Sequence, residues 1–216
     1  MQHWFAITPP GLEPIVHSEL QGLGIHGTVE PGAIGFEASL QDGAELTRLC
    51  RTPTRLLLTM AEGDVRSTQQ LASLVRSVDW SQTLRRGTEV KLHISTRDSK
   101  LRFKDRIQRT MERAIINVQR SLKPGPTHPQ RLHIRIADDR CRLALDAGGE
   151  LLHRRGWRKD TGAAPIRENL GAALLIAAGY TGDEVLLDPF CGVGTLPIEA
   201  AFIASKRSPF VGRSMA

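Results

Sequence analysis

Residues 186–201 read LLDPFCGVGTLPIEAA, and this stretch decides the fold of the chain around it. A short apolar run ends at Asp188, two glycines follow at positions 192 and 194, and a helical pattern begins at Thr195. The order of strand, glycine-rich turn and helix is typical of a ligand-binding βα unit in an α/β sheet. Because Gly192 and Gly194 have no Cβ, the main chain of this turn can approach a ligand closely. The stretch therefore predicts a binding site at the carboxyl end of the strand.

The other side chains of the turn indicate what it binds. A carboxylate at Asp188 disfavours a bound phosphate and suits a cationic ammonium or sulfonium group. Thr195 is expected to cap the new helix, whose free N–H groups face the same cleft. Cys191 has no basic neighbour in sequence, which argues against a nucleophilic thiol. Glu199 is expected on the helix surface or in a capping role, and a tight turn without a ligand remains the alternative.

The segment before this motif reads as a linker and a helix. Residues 155–164 are predicted to be a linker, and Pro165 is expected to open an Ala- and Leu-rich helix that stops at Gly179. Residues 185–187, Val-Leu-Leu, are expected to form the strand that leads into the turn.

The first sixty residues predict a β-α-β-β-α-β unit with the order of a ferredoxin-like fold. A strand at 3–7 ends before Pro-Pro-Gly, and apolar residues at helical spacing follow from Leu12 to Leu23. Asp42 is expected to cap the second helix, and Leu56 to Leu58 give the last buried strand.

Residues 61–154 predict a second unit with the order α-β-α-β-β. Its first helix is expected to start near Ser67 or Thr68, and alternating apolar residues give a strand at 90–95. A long amphipathic helix is predicted over 103–122, with Phe103, Ile107 and Met111 among its inward residues. Two strands follow, over 132–136 and 141–145.

Composition excludes several classes of protein and locates the excess charge. The chain has 216 residues, a formal net charge of +6 and a hydrophobic fraction of 40%, which excludes global disorder. It has no apolar run long enough to span a bilayer, and its three separated cysteines fit neither a disulfide framework nor a zinc site. Residues 61–125 hold 14 basic and 7 acidic side chains, whereas residues 1–60 hold 3 and 6. We expect a cytoplasmic protein with a cationic middle that either binds nucleic acid or is a solvated surface.

Four stretches together resemble one family. The turn is similar to the first cofactor motif of S-adenosylmethionine-dependent methyltransferases, in the form found in RNA guanine-N2 methyltransferases that carry a THUMP domain. Residues 151–158 (LLHRRGWR) resemble that family's L-x-R-R-G-Y-R segment, with Trp157 in place of Tyr. Residues 164–170 (APIRENL) and 5–13 (FAITPPGLE) resemble its A-P-L-[KR]-E-x-L helix start and its opening strand.

The resemblance implies an α+β N-terminal part, a ferredoxin-like unit plus a THUMP domain, followed by the incomplete start of an α/β Rossmann-like methyltransferase domain. The implied domains are residues 1–60, residues 61–154, the linker 155–164 and residues 165–216. The implied cofactor is S-adenosylmethionine, and the residues expected to bind it are Pro165, Asp188, Phe190, Cys191, Gly192, Gly194 and Thr195.

The implied partner is structured ribosomal or transfer RNA, with no membrane and no metal. Phosphate contacts are expected from basic residues of the middle of the chain: Arg85, Arg86, Arg97, Lys100, Arg102, Lys104, Arg109, Arg154, Arg155 and Arg158. The alternative for each is a solvated charge on the surface.

Two parts of the family's catalytic domain are missing from the sequence. Residues 165–216 number only 52, against about 150 for a doubly wound sheet, and the family's N/D-P-P-Y/F tetrapeptide does not occur. We expect the chain to be a fragment whose catalytic segment lies beyond Ala216, inactive alone and with weak or no cofactor binding. A non-enzymatic RNA-binding adaptor and a DNA adenine-N6 methylase remain as alternatives.

Overall fold

The computed structural model describes residues 1–125, 128–158 and 165–210. The chain forms two compact units: residues 1–57 together with the described residues from 150 onward, and residues 58–149. Residues 159–164, the larger part of the predicted linker, lie outside the described residues. The first unit thus combines the two ends of the chain.

The N-terminal part of the first unit has the predicted β-α-β-β-α-β order, which confirms the ferredoxin-like reading. Its elements are β1 (Gln2–Ile7), α1 (Glu13–Gly22), β2 (Gly27–Glu30), β3 (Ala33–Ala38), α2 (Leu40–Leu49) and β4 (Arg55–Asp64). The strand order is β2-β3-β1-β4, and β3 is antiparallel to both β1 and β2. β4 begins in this unit, and its residues from Leu58 onward belong to the second.

The core of this unit forms between the sheet and the helices. Trp4 and Phe5 of β1 are buried, as are Val16 and Leu20 of α1, which lie one helical turn apart. The expected cap of α2 is wrong by one helical turn. The helix begins at Leu40, and the Ser39 hydroxyl accepts the Asp42 N–H at 3.0 Å, so Ser39 is the N-cap.

The second unit has the predicted α-β-α-β-β order with one added 3-10 turn at Trp80–Gln82. Its other elements are α3 (Thr68–Arg76), β5 (Val90–Arg97), α4 (Lys104–Ser121), β6 (Gln130–Ala137) and β7 (Arg140–Asp146). The strand order is β4-β7-β6-β5. β5 and β6 are parallel because α4 carries the chain back between them, and β6 and β7 are antiparallel.

The amphipathic pattern of α4 positions its helix on the sheet. Ile107 and Met111 are fully buried against Leu132 and Ile134 of β6 in one continuous core. The prediction that Phe103 points inward is wrong, since its side chain is 61% exposed. Phe103 precedes the first helical residue as the N-cap, so the helical spacing does not govern its direction.

The two remaining helices belong to the first unit. The segments that lead into them differ from the sequence prediction. α5 (Glu168–Ala177) starts three residues after Pro165, because the Ile166 carbonyl faces the Thr195 hydroxyl and Arg158. α6 (Thr195–Ala204) follows the glycine turn as predicted. The strand expected at 185–187 is not formed among the described residues, where no strand pairs with it, and Val185 is 99% exposed.

Candidate functional site

The glycine turn has a backbone shape that only glycine adopts readily. Gly192 and Gly194 both have left-handed backbones, with φ of 54° and 79°. The Gly194 N–H donates to the Cys191 carbonyl at 2.8 Å, which closes the turn, and α6 begins at the next residue. Gly194, and not the predicted Thr195, is therefore the N-cap of α6.

The space beside the turn is open. A Cβ built on Gly192 would have the Phe190 carbonyl oxygen as its nearest neighbour, at 4.0 Å. Cys191 is exposed, and the Phe190 ring is 92% exposed. The main chain of the turn and the first N–H groups of α6 can thus be approached by a ligand.

Asp188 is oriented by the turn itself. Its Oδ1 accepts the Phe190 N–H at 3.1 Å, while Oδ2 accepts no hydrogen bond from the described residues. The half-buried carboxylate therefore keeps one oxygen for a ligand at the mouth of the turn.

The start of α5 lies beside the start of α6. The Thr195 hydroxyl lies 3.4 Å from the Ile166 carbonyl, which brings the segment after Pro165 next to the turn. A Cβ on Gly171 would lie 3.3 Å from the Thr195 methyl carbon, so α5 and α6 approach closely at this glycine. The two segments predicted to contact the cofactor are thereby brought together.

Arg158 contacts both the start of α5 and the start of α6, so its guanidinium is not free for the predicted phosphate contact. Its guanidinium donates to Glu168 at 2.7 Å, to the Thr195 hydroxyl at 2.8 Å and to the Ile166 carbonyl at 3.3 Å. Its side chain is only 13% exposed. The sequence shows an arginine in a basic stretch, but its partners lie 10 and 37 residues further along the chain.

Arg155 forms a buried ion pair with Glu199 of α6. Arg155 Nε lies 3.3 Å from Glu199 Oε1, and the same guanidinium donates to the Leu152 and Arg51 carbonyls at 2.9 and 2.5 Å. Burial raises the pKa of Glu199, and the charge of Arg155 opposes this rise. The prediction of an RNA contact by Arg155 is wrong, and so is the surface or capping role expected for Glu199.

Arg51 is a residue of this network that the sequence did not single out. Its Nη2 donates to the Phe202 carbonyl at 3.1 Å and to the Arg207 carbonyl at 2.5 Å, at the C-terminal end of α6. A cation at that end suits the helix dipole. Burial lowers the pKa of Arg51, and the carboxylates of Glu199 and Glu19 counteract this.

The basic residues predicted in the second unit divide into engaged and available groups. Arg85 and Arg86 donate to backbone carbonyls, including those of Ser81 and Leu122, at 2.5 and 3.2 Å. Arg97 lies near Asp98 and Asp138, at 3.7 and 3.5 Å. The other predicted residues are exposed: Lys100, Arg102, Lys104 and Arg109, together with Arg154 of the first unit.

The described residues contain neither a group of metal ligands nor a membrane-spanning helix. In this part of the chain, no three or more His, Cys, Asp or Glu side chains are arranged to hold a metal ion. None of the helices over the described ranges is long and apolar enough to cross a membrane.

Comparison with known proteins assigns both ends of the chain. Residues 155–216 match the family model described as "RMKL-like, methyltransferase domain", and residues 3–57 match the "RlmL ferredoxin-like domain". The ribosomal RNA large subunit methyltransferase K/L of Magnetococcus marinus is 35% identical over 97% of this chain and 30% of its own length.

Solved structures agree with this assignment. A predicted N6-adenine-specific DNA methylase from Listeria monocytogenes is similar with a TM-score of 0.89 and 29% identity, over 99% of this chain and 58% of its own. The putative methyltransferase SMU.472, complexed with SAH, is similar with a TM-score of 0.88 and 29% identity, over 100% of this chain and 59% of its own.

The chain thus combines a ferredoxin-like unit with a segment that holds the glycine turn and is similar to a methyltransferase domain. The chain is similar along nearly its whole length to curated ribosomal RNA large subunit methyltransferases K/L and to a solved putative methyltransferase that is complexed with SAH. The chain spans about a third of the length of four curated relatives that it matches, 29 to 31%, and 58 to 59% of three solved chains that it matches.

Proposed function

We propose that the full gene product is an S-adenosylmethionine-dependent RNA methyltransferase that modifies an exocyclic amine, guanine N2, of ribosomal or transfer RNA in the cytoplasm. The observation that carries this proposal is the turn from Asp188 to Thr195, where two left-handed glycines leave main chain open beside a carboxylate. The names of the curated relatives support ribosomal RNA as the substrate. The three free cysteines fit a reducing compartment.

The described residues fit this cofactor. The open space at Gly192 admits a ligand against bare main chain, and the free oxygen of Asp188 suits a sulfonium or a hydroxyl of the nucleoside. The exposed ring of Phe190 offers an apolar surface for a purine. Pro165, Cys191, Gly194 and Thr195 complete the proposed set.

The chain contributes alignment, not a reacting group. When bound, S-adenosylmethionine supplies an electrophilic methyl group on a sulfonium sulfur. Asp188 and the glycine turn would hold this cofactor, and Arg158 holds the first residue of α6 against the segment before α5. The base must leave its stack to reach this site. We expect no methyl transfer by residues 1–216 alone, because they do not contain the N/D-P-P-Y/F tetrapeptide that is expected to grip this amine.

The cofactor site is tested by a pair of glycine variants of the full gene product. Gly194→Ala forces a side chain onto a φ of 79° at the turn, and Gly179→Ala does the same at 77° after α5, where a Cβ meets nothing within 4 Å. The matched backbone strain makes Gly179→Ala the control. We expect Gly194→Ala to weaken binding of tritiated S-adenosylmethionine, measured by equilibrium dialysis, by about tenfold or more, and Gly179→Ala to leave it within about twofold. Equal affinities in the two variants would contradict the proposed site.

The substrate is tested by methyl transfer from the same tritiated cofactor. The full gene product is incubated with ribosomal RNA, transfer RNA and duplex DNA, and label in N2-methylguanine of RNA is the expected result. The similarity to the predicted N6-adenine-specific DNA methylase from Listeria favours a second candidate, a DNA adenine-N6 methylase. Label only in N6-methyladenine of DNA would establish that activity instead. RNA binding without cofactor binding would indicate a non-enzymatic adaptor.

A further inference from the structure

The second unit has an arginine-lined groove between α3 and α4, which we call the arginine groove. It is lined by Arg76 of α3 and by Arg106, Arg109 and Arg113 of α4, with Ala72 and Ala114 facing it between them. The α4 arginines are three or four residues apart, so they share one face of the helix. The small alanine side chains leave space between the two helices.

The four guanidinium groups of the arginine groove have no acidic partner. None of them forms an ion pair or a side-chain hydrogen bond with any residue of the described ranges, and all four residues are exposed. The acidic residues of α4 form no ion pair with them among the described residues: Glu112 accepts the Gln108 amide at 2.9 Å, and Asp105 is exposed in the first turn. The groove lining itself contains no Asp or Glu.

Several other arginines of the same unit are paired with carboxylates. Arg66 lies 3.3 Å from Asp139, and Arg140 lies 3.2 Å from Glu62. The loop around Arg97 and Lys100 likewise contains Asp98 and Asp139. The arginine groove differs from these places because four arginines line one surface whose lining contains no acidic residue.

Like charges at this spacing cost stability in the free protein. Arg109 and Arg113 are an i, i+4 pair of equal sign, and such pairs are unfavourable by about 0.2–0.5 kcal/mol each. The lining of the groove contains no acidic side chain that would relieve this repulsion. An anion in the groove would relieve it.

We propose that the arginine groove binds the phosphodiester backbone of RNA, an inference that rests on the proposed function and locates its RNA-binding surface. Arg106 and Arg113 are separated by about 10 Å along α4, enough to contact successive phosphates of one strand. Guanidinium groups bind phosphate oxygens in pairs, and Asn117 adds a neutral donor at the same surface. The apolar atoms that face the groove are alanine methyl groups, which offer no ring on which a base could stack. The groove would therefore bind the phosphate backbone without distinguishing the base sequence.

The experiment compares two double variants of the full gene product. Arg106→Gln with Arg113→Gln removes two charges from the arginine groove, and Arg66→Gln with Arg140→Gln removes two compensated charges elsewhere in the unit. Binding of a fluorescein-labelled RNA hairpin is followed by anisotropy from about 50 to 200 mM KCl. We expect the groove variant to lose about tenfold or more in affinity and the slope of log K against log salt to flatten by about two. The control variant is expected to keep the wild-type slope, and circular dichroism shows that each variant is folded.

Three outcomes would overturn the proposal. A folded groove variant with wild-type affinity and slope would show that RNA binds elsewhere. Absence of RNA binding by the wild-type protein would show that the arginine groove is not an RNA-binding surface. Saturable binding of inorganic phosphate that the groove variant alone loses, with RNA affinity unchanged, would show a site for free phosphate. Failure of the proposed function is distinguishable, because it appears as no S-adenosylmethionine binding by a wild-type protein whose groove still binds RNA.

Discussion

At the scale of single residues, the buried pair of Arg155 and Glu199 gives the sharpest prediction. Their side chains are 2% and 0% exposed, so removing one partner leaves an unpaired charge in the interior. We expect Glu199→Ala or Arg155→Ala to lower the free energy of unfolding by about 3–5 kcal/mol, measured by urea denaturation. Arg155→Ala also leaves the Leu152 and Arg51 carbonyls without this donor.

A double variant distinguishes the contribution of the two charges to stability from the contribution of the volume that their side chains fill. Arg155→Met with Glu199→Leu replaces both charges by apolar side chains of similar volume, and we expect it to be more stable than either single alanine variant. A double variant no more stable than the worse single one would show that the stability comes from the carbonyl contacts of Arg155.

His153 gives a prediction about pH. Its burial lowers the pKa from 6.5 to about 4, opposed by Glu168 and assisted by the neighbouring arginines. Between these two values the unfolded chain binds the proton and the folded chain does not, so this contribution to stability is complete above pH 6.5 and falls as the pH falls towards 4.

The measurement compares the stability of His153→Phe with that of the wild type at each pH. The other titrating groups are the same in both proteins, so their effects cancel in the difference. His153 Nδ1 is buried and has no partner among the described residues, so the apolar ring breaks no hydrogen bond there. We expect the stability of the variant to rise relative to the wild type by about 1–2 kcal/mol between pH 7 and pH 5. A difference that stays constant over this range would contradict the lowered pKa.

The sequence identified the turn residues but not the roles of the arginines. Gly192, Gly194 and Asp188 were recognisable because their chemistry depends on local order along the chain. Arg155 and Arg158 could not be distinguished from exposed arginines, because their carboxylate partners, Glu199 and Glu168, are set by the tertiary fold. Burial of a charge is decided by such pairing and leaves no local pattern.

At the scale of elements, the packing of α2 on β1 depends on one glycine. A Cβ built on Gly43 lies 2.2 Å from ring atoms of Trp4, which is fully buried. Gly43→Ala is therefore expected to destabilise the chain by about 1–3 kcal/mol in thermal or urea unfolding. Gly22→Ala is the matched control, because its Cβ meets nothing within 4 Å at the end of α1. The control is expected to be neutral or to stabilise by up to about 1 kcal/mol. Similar losses in both variants would show that helix propensity, and not the contact with Trp4, determines the effect.

Element type was predictable and element boundaries were less so. The spacing of Ile107, Met111 and Ile115 predicted both ends of α4 to within one residue, because a long amphipathic period is a strong signal. The start of α5 was predicted three residues early, because a proline suits a first turn but does not require one. After Pro165, the Ile166 carbonyl accepts hydrogen bonds from Arg158 and Thr195, and Arg167 is the extended N-cap of α5.

At the scale of the whole molecule, the excess of basic residues lies in one of the two units. The basic excess of residues 61–125 falls within the second unit, and the arginine groove accounts for four of those charges. The sequence predicted the sign and the segment of this excess. It could not predict the groove, which exists only because α3 and α4, separated by β5, pack side by side.

The exposed run before the glycine turn gives the last prediction, for the chain of residues 1–216 as a whole. A β-strand is stabilised by hydrogen bonds to neighbouring strands, and residues 185–187 have none in the described structure, with Val185 and Leu187 exposed by 99 and 84%. β6 lies between two partners, with Ile134 opposite Ile94 on one side and Leu143 on the other. In native-state hydrogen exchange we expect the amides of 185–187 to exchange at nearly unprotected rates and that of Ile134 to exchange only through large-scale unfolding. Strong protection of 185–187 in this chain would mean that the run pairs with another strand, for example in a second copy of the chain. Exchange measured over a range of protein concentrations separates that case, because pairing between copies strengthens with concentration.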